Sequence, residues 1–495
     1  MIFSSLTFLY AFLPVLLLFY FIVKNNSYRR CVLLIFSLLF YAWGEPVYIL
    51  LMLFSAACNY VFGKLVGTGK TPKARKIALI LGVATNLAML GVFKYAGFAV
   101  EIFNGVTGLS VPVPAISLPL GISFYTFQAM TYVIDVYWEN CAYQKSFPRL
   151  LLFITFFPQL VAGPIVRYTD MKDQLEDCHV SAAEFNEGLY RFAIGMGKKV
   201  VLANTCALAA DNLFHIVGGP TVLSSWGGIL FYTFQIYFDF SGYSDMAIGL
   251  GHMFGFTFPE NFNYPYISKN VTEYWRRWHM TLGSWFRDYL FYPVMRSKTI
   301  TKLAKNLKKS GHKAASKSVP TIIALAVVWF STGLWHGASW NYVLWGVYYG
   351  FWLIMEKFVL DKLYKKLPDL VSTIIQRVSF VFITLFGFAI FYHEKNLFAN
   401  LGYLFGVGTV GVTDAYAESM IYENGILLIV SFLCSLPLAK MAVGALRQKM
   451  YTRLSTNTAY TIDRIFKTVI VLILFALGTV RLVGNSYNPF IYFRF

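Results

Sequence analysis

Residues 222–250 read VLSSWGGILFYTFQIYFDFSGYSDMAIGL, a run of apolar and aromatic residues into which Gln235, Asp239, Ser241, Tyr243, Ser244 and Asp245 are set. The run is longer than the roughly 20 residues a helix needs to cross the hydrocarbon core of a bilayer. Ionisable side chains at that depth cost on the order of several kcal/mol, which makes them functional candidates by default. Asp239 and Tyr243 are four positions apart and share one helix face. Gly242 and Gly249 let another backbone, or a ligand, come close. A hydrogen-bonded knot between helices and a substrate site account for these residues equally well.

On both sides the chain repeats the apolar theme. Runs long enough to span, or nearly so, fall at about 6–23, 31–46, 48–63, 77–98, 117–137, 148–166 and 186–212 before this stretch, and at 320–335, 340–358, 374–393, 424–444 and 465–484 after it. Apolar residues are 57% of the 495, and charged residues 13%, about half the ~25% usual in a soluble domain. No soluble core hides so much apolar surface. The expected fold is all-α and polytopic, one membrane domain over 1–495 with about 10–12 spans plus re-entrant or interfacial helices. The first run is long and lacks a small-residue cleavage pattern, so it reads as a retained span. The six cysteines have neither CxxC pairs nor ligand spacing, and no metal site or disulfide framework is expected.

The net charge of +18 is unevenly placed. Residues 64–76 carry five Lys/Arg and residues 296–317 carry eight, both without an acid, whereas 95–144 and 396–439 have no Lys/Arg. The positive-inside rule puts the basic segments in the cytoplasm and both chain termini outside, which requires an even number of spans. Bias around spans explains the basic balance better than nucleic-acid binding does. The longest polar loop, about 296–318, reads as a topology determinant or a contact for anionic lipid or an acidic carrier protein.

Two further clusters carry chemistry. Tyr274-Trp-Arg-Arg-Trp278-His279, continuing to Tyr292, is aromatic and cationic without a spanning length, as expected of a segment at the membrane interface. Arg276 and Arg277 are suited to phosphates. Trp335-His336-Gly337 stands between two apolar runs. A neutral imidazole is well matched to taking a hydroxyl proton near neutral pH, and the glycine removes bulk beside it. Structural roles are open for each of these residues.

These clusters, in this order, resemble the membrane-bound O-acyltransferase (MBOAT) superfamily, and more closely its bacterial branch of alginate O-acetylation (AlgI-type) proteins and D-alanyl-transferring (DltB-type) relatives. The matching residues run from Leu118-Pro-Leu-Gly-Ile-Ser-Phe-Tyr125-Thr-Phe-Gln128 and Phe157-Pro-Gln159 through Gly163-Pro164-Ile165 to Asp239–Gly249. They continue with Asn261-Phe-Asn-Tyr-Pro265-Tyr266, Trp275–His279 and Trp335-His336-Gly337, with a motif-bearing core over about 115–360. The amino-terminal Met-Ile-Phe-Ser-Ser5 and the aromatic tail 488–495 are similar to that branch too.

The resemblance implies a helical fold around a central tunnel, with His336 catalytic and His279 a second functional histidine. Gln128, Asp239, Tyr243, Ser244, Asp245, Arg276, Arg277, Trp278, Trp335 and Gly337 are implied donor- or tunnel-lining candidates. The tail Phe490-Ile-Tyr492-Phe-Arg-Phe495 resembles a motif in which the tyrosine hydroxyl accepts the acyl group, making Tyr492 a candidate acceptor. No bound cofactor is implied; the donor would be acetyl-CoA or an acyl carrier protein thioester. The expected partners are membrane lipid and an extracellular SGNH-type O-acetyltransferase, in a bacterial inner membrane. The implied activity is O-acetylation of an exported or cell-wall polysaccharide. D-alanyl transfer, long-chain lipid acylation and a transporter without covalent chemistry are the alternatives.

Overall fold

The computed structural model describes residues 1–216 and 218–484, and among them every regular element is helical. An isolated parallel bridge joins Thr221 and Gly411. The helices that build and position the candidate residues are, in chain order, α1 (Leu13–Ile22), α2 (Asn26–Gly44), α3 (Ile49–Thr68), α4 (Pro72–Leu90), α5 (Ile122–Tyr137), α6 (Ala182–Met196), α7 (Val222–Met253), α8 (Val271–Trp275), α9 (Met280–Phe286), α10 (Lys298–Lys309), α11 (Lys313–His336), α12 (Trp340–Met355), α13 (Asp369–Tyr392) and α14 (Thr456–Gly484). Side chains at several starts take up N–H groups that have no partner within the helix. Asn25 accepts from Ser27 and Tyr28 ahead of α2, Thr71 accepts from Ala74 with Pro72 opening α4, and Ser181 with Glu184 forms a capping box at α6.

By length and apolarity, seven helical stretches among the described residues can cross a membrane: Ile49–Thr68, Pro72–Thr107, Ala182–Phe214, Lys313–His336, Trp340–Tyr364, Asp369–Tyr392 and Thr456–Gly484. The pair Ala415–Glu423 and Gly425–Ser435, bent by 51°, would make an eighth. The protein is an all-α, multi-pass membrane protein. The sequence reading of 10–12 spans also counted runs that fall short of this length and apolarity. The first apolar helix, Phe8–Ile22, is short; α2 carries Arg29 and Arg30 near its start; α5 has 16 residues. The run 148–166 breaks at Phe156 into Phe147–Thr155 and Phe157–Leu160, since Pro158 has no N–H to donate back into the first helix and is accommodated in the first turn of the second. Helix α7 has the length, at 32 residues. All of 231–251 is buried, so protein surrounds it and polar residues replace apolar ones.

The chain divides into two compact units within α7. The first comprises Met1–Val200, Phe240–Pro259 and the described residues from Lys467 onward. There α6 lies against the second half of α7 along a seam of glycines spaced by seven. A Cβ on Gly188 would lie 2.5 Å from the Gly249 carbonyl oxygen, and one on Gly195 would lie 2.5 Å from that of Gly242. Between these two contacts Asp245 takes Arg191 Nε on one oxygen at 2.7 Å and Lys198 Nζ on the other at 2.6 Å. Elsewhere in this unit Asn59 on α3 and Asn86 on α4 exchange two amide hydrogen bonds, at 3.1 and 2.8 Å.

The second unit comprises Val201–Asp239 and Glu260–Phe466. Its backbone is the hairpin of α11 and α12, with α13 packed on α12. The segment 296–318, expected as a loop, is helical instead: α10 and the first turns of α11, joined at Gly311 with φ +88°. The reason is that Ile300, Leu303, Ala304 and Leu307 recur at helical spacing and give α10 an apolar face.

The glycine seam gives a direct test. Gly195→Val should lower stability by about 1–3 kcal/mol, read as a lower melting temperature in detergent, because backbone rather than a movable side chain blocks the new atoms. Gly105→Val, where a Cβ meets nothing within 4 Å, should leave the melting temperature unchanged.

Candidate active site

His336 is the last residue of α11, with Gly337 following in extended geometry (φ −169°, ψ 160°). A Cβ at Gly337 would collide with the Tyr342 ring, so the glycine admits that tyrosine. The His336 ring is buried, 4.8 Å from Trp345 and 5.2 Å from Phe391, edge-on to both. Asn341 donates to the Phe391 carbonyl at 2.9 Å and so ties the start of α12 to the end of α13 beside this histidine.

His279 is fixed differently. It precedes α9 in the left-handed conformation (φ 46°, ψ 51°), uncommon for a residue with a side chain. The segment 261–263 holds it there: Met280 N donates to the Asn261 carbonyl and Asn263 N to the Arg277 carbonyl, both at 2.9 Å. Asn261 Oδ1 accepts from the Thr281 N–H at 3.3 Å and the Thr281 hydroxyl at 2.9 Å, and His279 Nδ1 lies 3.0 Å from the same oxygen. With that oxygen accepting from Thr281, Nδ1 carries a hydrogen and the neutral ring keeps its lone pair on Nε2. Burial pushes the imidazole down to about 3 from its ordinary 6.5, which keeps the ring neutral.

Trp335 joins the two histidines. Its ring centroid is 5.0 Å from that of His336 and 5.9 Å from that of His279. The Trp-Arg-Arg-Trp-His stretch is therefore not an interfacial anchor. Tyr274 and Trp278 are buried, with Trp278 packed on Phe262 at 5.1 Å and Phe388 at 5.7 Å, while Trp275 meets Trp345 at 5.5 Å and Tyr349 at 4.9 Å. The aromatics turn inward because the chain doubles back here in short helices, α8 and α9, instead of lying flat. The two arginines part company: Arg277 pairs with Glu273 at 2.9 Å, and Arg276 is exposed.

The other candidates divide between the units. Asp239 is buried on α7 in the second unit. Gln128, Tyr243, Ser244 and Asp245 belong to the first. Tyr243 stacks on Phe3 at 4.5 Å, and Asp245 is committed to Arg191 and Lys198. The Gln128 amide and the Ser244 hydroxyl are buried without a hydrogen-bond partner among the described residues. Tyr492 lies outside the described residues.

Of three supporting residues, Trp345 and Glu356 escaped the sequence reading, which quoted Asn261 within a motif but gave it no role. Trp345 packs on His336, and Asn261 orients His279. Glu356 accepts from Val271 N at 2.7 Å, Thr272 N at 2.8 Å and the Thr272 hydroxyl at 2.7 Å, capping α8, the helix that leads into Trp275–His279. A signal existed for it: Glu356 is a lone acid in the apolar run 340–358. Removing this cap with Glu356→Ala should cost about 3 kcal/mol, since three donors lose a charged acceptor. The check is chemical or thermal denaturation in detergent, with Glu356→Gln, which keeps a carbonyl acceptor, losing less.

Comparison with known proteins completes the description. The model of the membrane-bound O-acyltransferase family matches residues 142–393, a range holding both histidines. The chain is 35% identical to the Pseudomonas putida protein named "Probable alginate O-acetylase AlgI", covering 100% of both chains. It is 31% identical to the "Peptidoglycan O-acetyltransferase" of Helicobacter pylori over 100% of this chain and 98% of that one. Against the "Teichoic acid D-alanyltransferase" of Bacillus subtilis, identity is 32% over 55% of this chain and 68% of the relative.

Proposed function

Because the chain belongs to the membrane-bound O-acyltransferase family and is a multi-pass O-acyltransferase, we propose that it takes an acetyl group from a cytoplasmic thioester, acetyl-CoA, and passes it across the bacterial inner membrane for O-acetylation of an extracellular or cell-wall polysaccharide. The observation that carries this reading is the pair of buried imidazoles, His279 and His336, both against Trp335. A transporter without a covalent step has no place in this family of acyltransferases.

In the proposed reaction His336 takes the proton of an acceptor hydroxyl as its oxygen attacks the thioester carbonyl carbon. The tetrahedral intermediate collapses by breaking the C–S bond, and His336 returns the proton to the departing thiolate. The ring ends neutral, and the acyl group ends as an ester. His279, neutral with its lone pair on Nε2, packs on Trp335 as the second functional histidine and leaves the hydroxyl hydrogen to His336. Trp278, Trp335 and Gly337 flank this chemistry, and Arg276, exposed and in no ion pair among the described residues, would meet donor phosphates. Water kept from the aromatic surroundings limits hydrolysis of the thioester.

Tyr492 is the proposed acceptor that presents the acyl group outside, where an SGNH-type O-acetyltransferase would finish the transfer. The match to the D-alanyltransferase supports a second reading, in which the same machinery moves D-alanine from a carrier protein thioester.

The test is radiolabelled acetyl-CoA added to purified protein, followed by hydroxylamine to release an ester. Wild type should retain label. His336→Ala should lose at least 100-fold in labelling rate, in line with general-base catalysis, and Tyr492→Phe should retain none. Label lost in His336→Ala alone would move the acceptor elsewhere; no label on any form, with D-alanyl carrier protein active instead, would favour the second reading.

A further inference from the structure

Helix α10 carries Lys298, Lys302, Lys305, Lys308 and Lys309, flanked by Arg296, Lys313 and Lys317, with no Asp or Glu from 296 to 317. Its apolar residues turn against α11, with Ile300 buried, while all five of its lysines are exposed on the other side. Among the described residues none of these eight cations pairs with a carboxylate. Lys298 and Lys302, Lys302 and Lys305, and Lys305 and Lys309 are spaced three or four apart, so the row repels itself. A helix built this way gains from an anionic surface that lies along it.

The fold says which surface. The turn at Gly311 doubles α10 back along α11, so its 12 residues, about 18 Å of helix, lie beside the start of a membrane-crossing helix. Further along α11, Val327 and Phe330 are 37% and 48% exposed, as expected of residues that face lipid tails. The lysine row therefore lies where α11 enters the bilayer, at headgroup level, and charge bias assigns that level to the cytoplasmic leaflet. We propose that α10 is a docking face for the phosphate headgroups of anionic lipid, holding the second unit to the cytoplasmic leaflet through a row of snorkelling lysines. A soluble acidic protein would need the row to face open water instead of running along the membrane entry.

The experiment titrates full-length protein in detergent with pyrene-labelled phosphatidylglycerol and, separately, phosphatidylcholine. Wild type should prefer phosphatidylglycerol by at least tenfold. K302Q/K305Q/K308Q/K309Q should bring the preference below about twofold with phosphatidylcholine binding unchanged, which shows the protein is still folded; the same four positions changed to Arg should keep it. A charge-matched control in the other basic segment, K64Q/K70Q/K73Q/K76Q, should also keep it. The proposal is overturned if the α10 variant keeps the preference, or if both Gln variants lose it equally, which would make net charge the cause. It is also overturned if inorganic phosphate displaces the lipid better than chloride at equal ionic strength, which would identify a free-phosphate site, or if the α10 variant keeps the lipid and loses only an acidic carrier protein.

Discussion

Hydrocarbon offers no hydrogen bond to a carboxylate or a peptide group, so an acid at membrane depth must be given its counter-charges by the protein. Asp245 is where the first unit meets that demand. Arg191 on α6 and Lys198 in the π-helical turn after it, seven residues apart, reach its two oxygens. They can do so only because Gly188 and Gly195, also seven apart, let the two helices touch backbone to backbone. Close approach and charge pairing depend on each other. Opening the seam would strand a buried carboxylate at about 3–5 kcal/mol, and removing the carboxylate would leave two cations of one helical segment without their shared counter-charge.

The same logic, with hydrogen bonds in place of ion pairs, builds the candidate active site. Left-handed backbone at His279 costs about 1–2 kcal/mol, and the surrounding polar groups offset it. Asn261 contributes its carbonyl to Met280 and its side chain to His279 and Thr281. Glu356 anchors the helix entering the turn. The Asn261 Oδ1 and the Glu356 carboxylate are buried, and each accepts from backbone and side-chain donors of this turn. A site assembled this way is rigid before any substrate arrives, which is what positioning a proton acceptor requires.

How much of this was legible follows from what sequence patterns encode. Apolar run length announced the membrane and all-helical character, because a lipid-exposed span must be both apolar and helical. The signal is weaker at α7, where protein replaces lipid as the neighbour and polar residues stand among the apolar ones. The histidines were legible as ionisable groups in apolar surroundings, and the glycine after His336 as a break. The reason for that glycine was not: Tyr342 fills the space a side chain would take, a contact five residues on in sequence that only the hairpin creates. Asp245 was legible as unusual but not as structural, since its partners lie some fifty residues away on another helix. Arg276 and Arg277, identical in the sequence argument, were separated by one neighbour, Glu273.

The two imidazoles occupy opposite ends of their helices, which accords with the unlike roles proposed for them. His336 closes α11, where carbonyl groups without intrahelical partners gather partial negative charge; His279 opens α9, where the N–H groups gather partial positive charge. Burial opposes a proton on His279, and the helix end that this residue opens adds to the opposition. Asn261 adds to the asymmetry by holding the Nδ1 hydrogen of His279 in place, so that ring presents a lone pair and nothing else. With Trp335 against both, the proposed hydroxyl would give its proton to His336 while His279 stays neutral beside it.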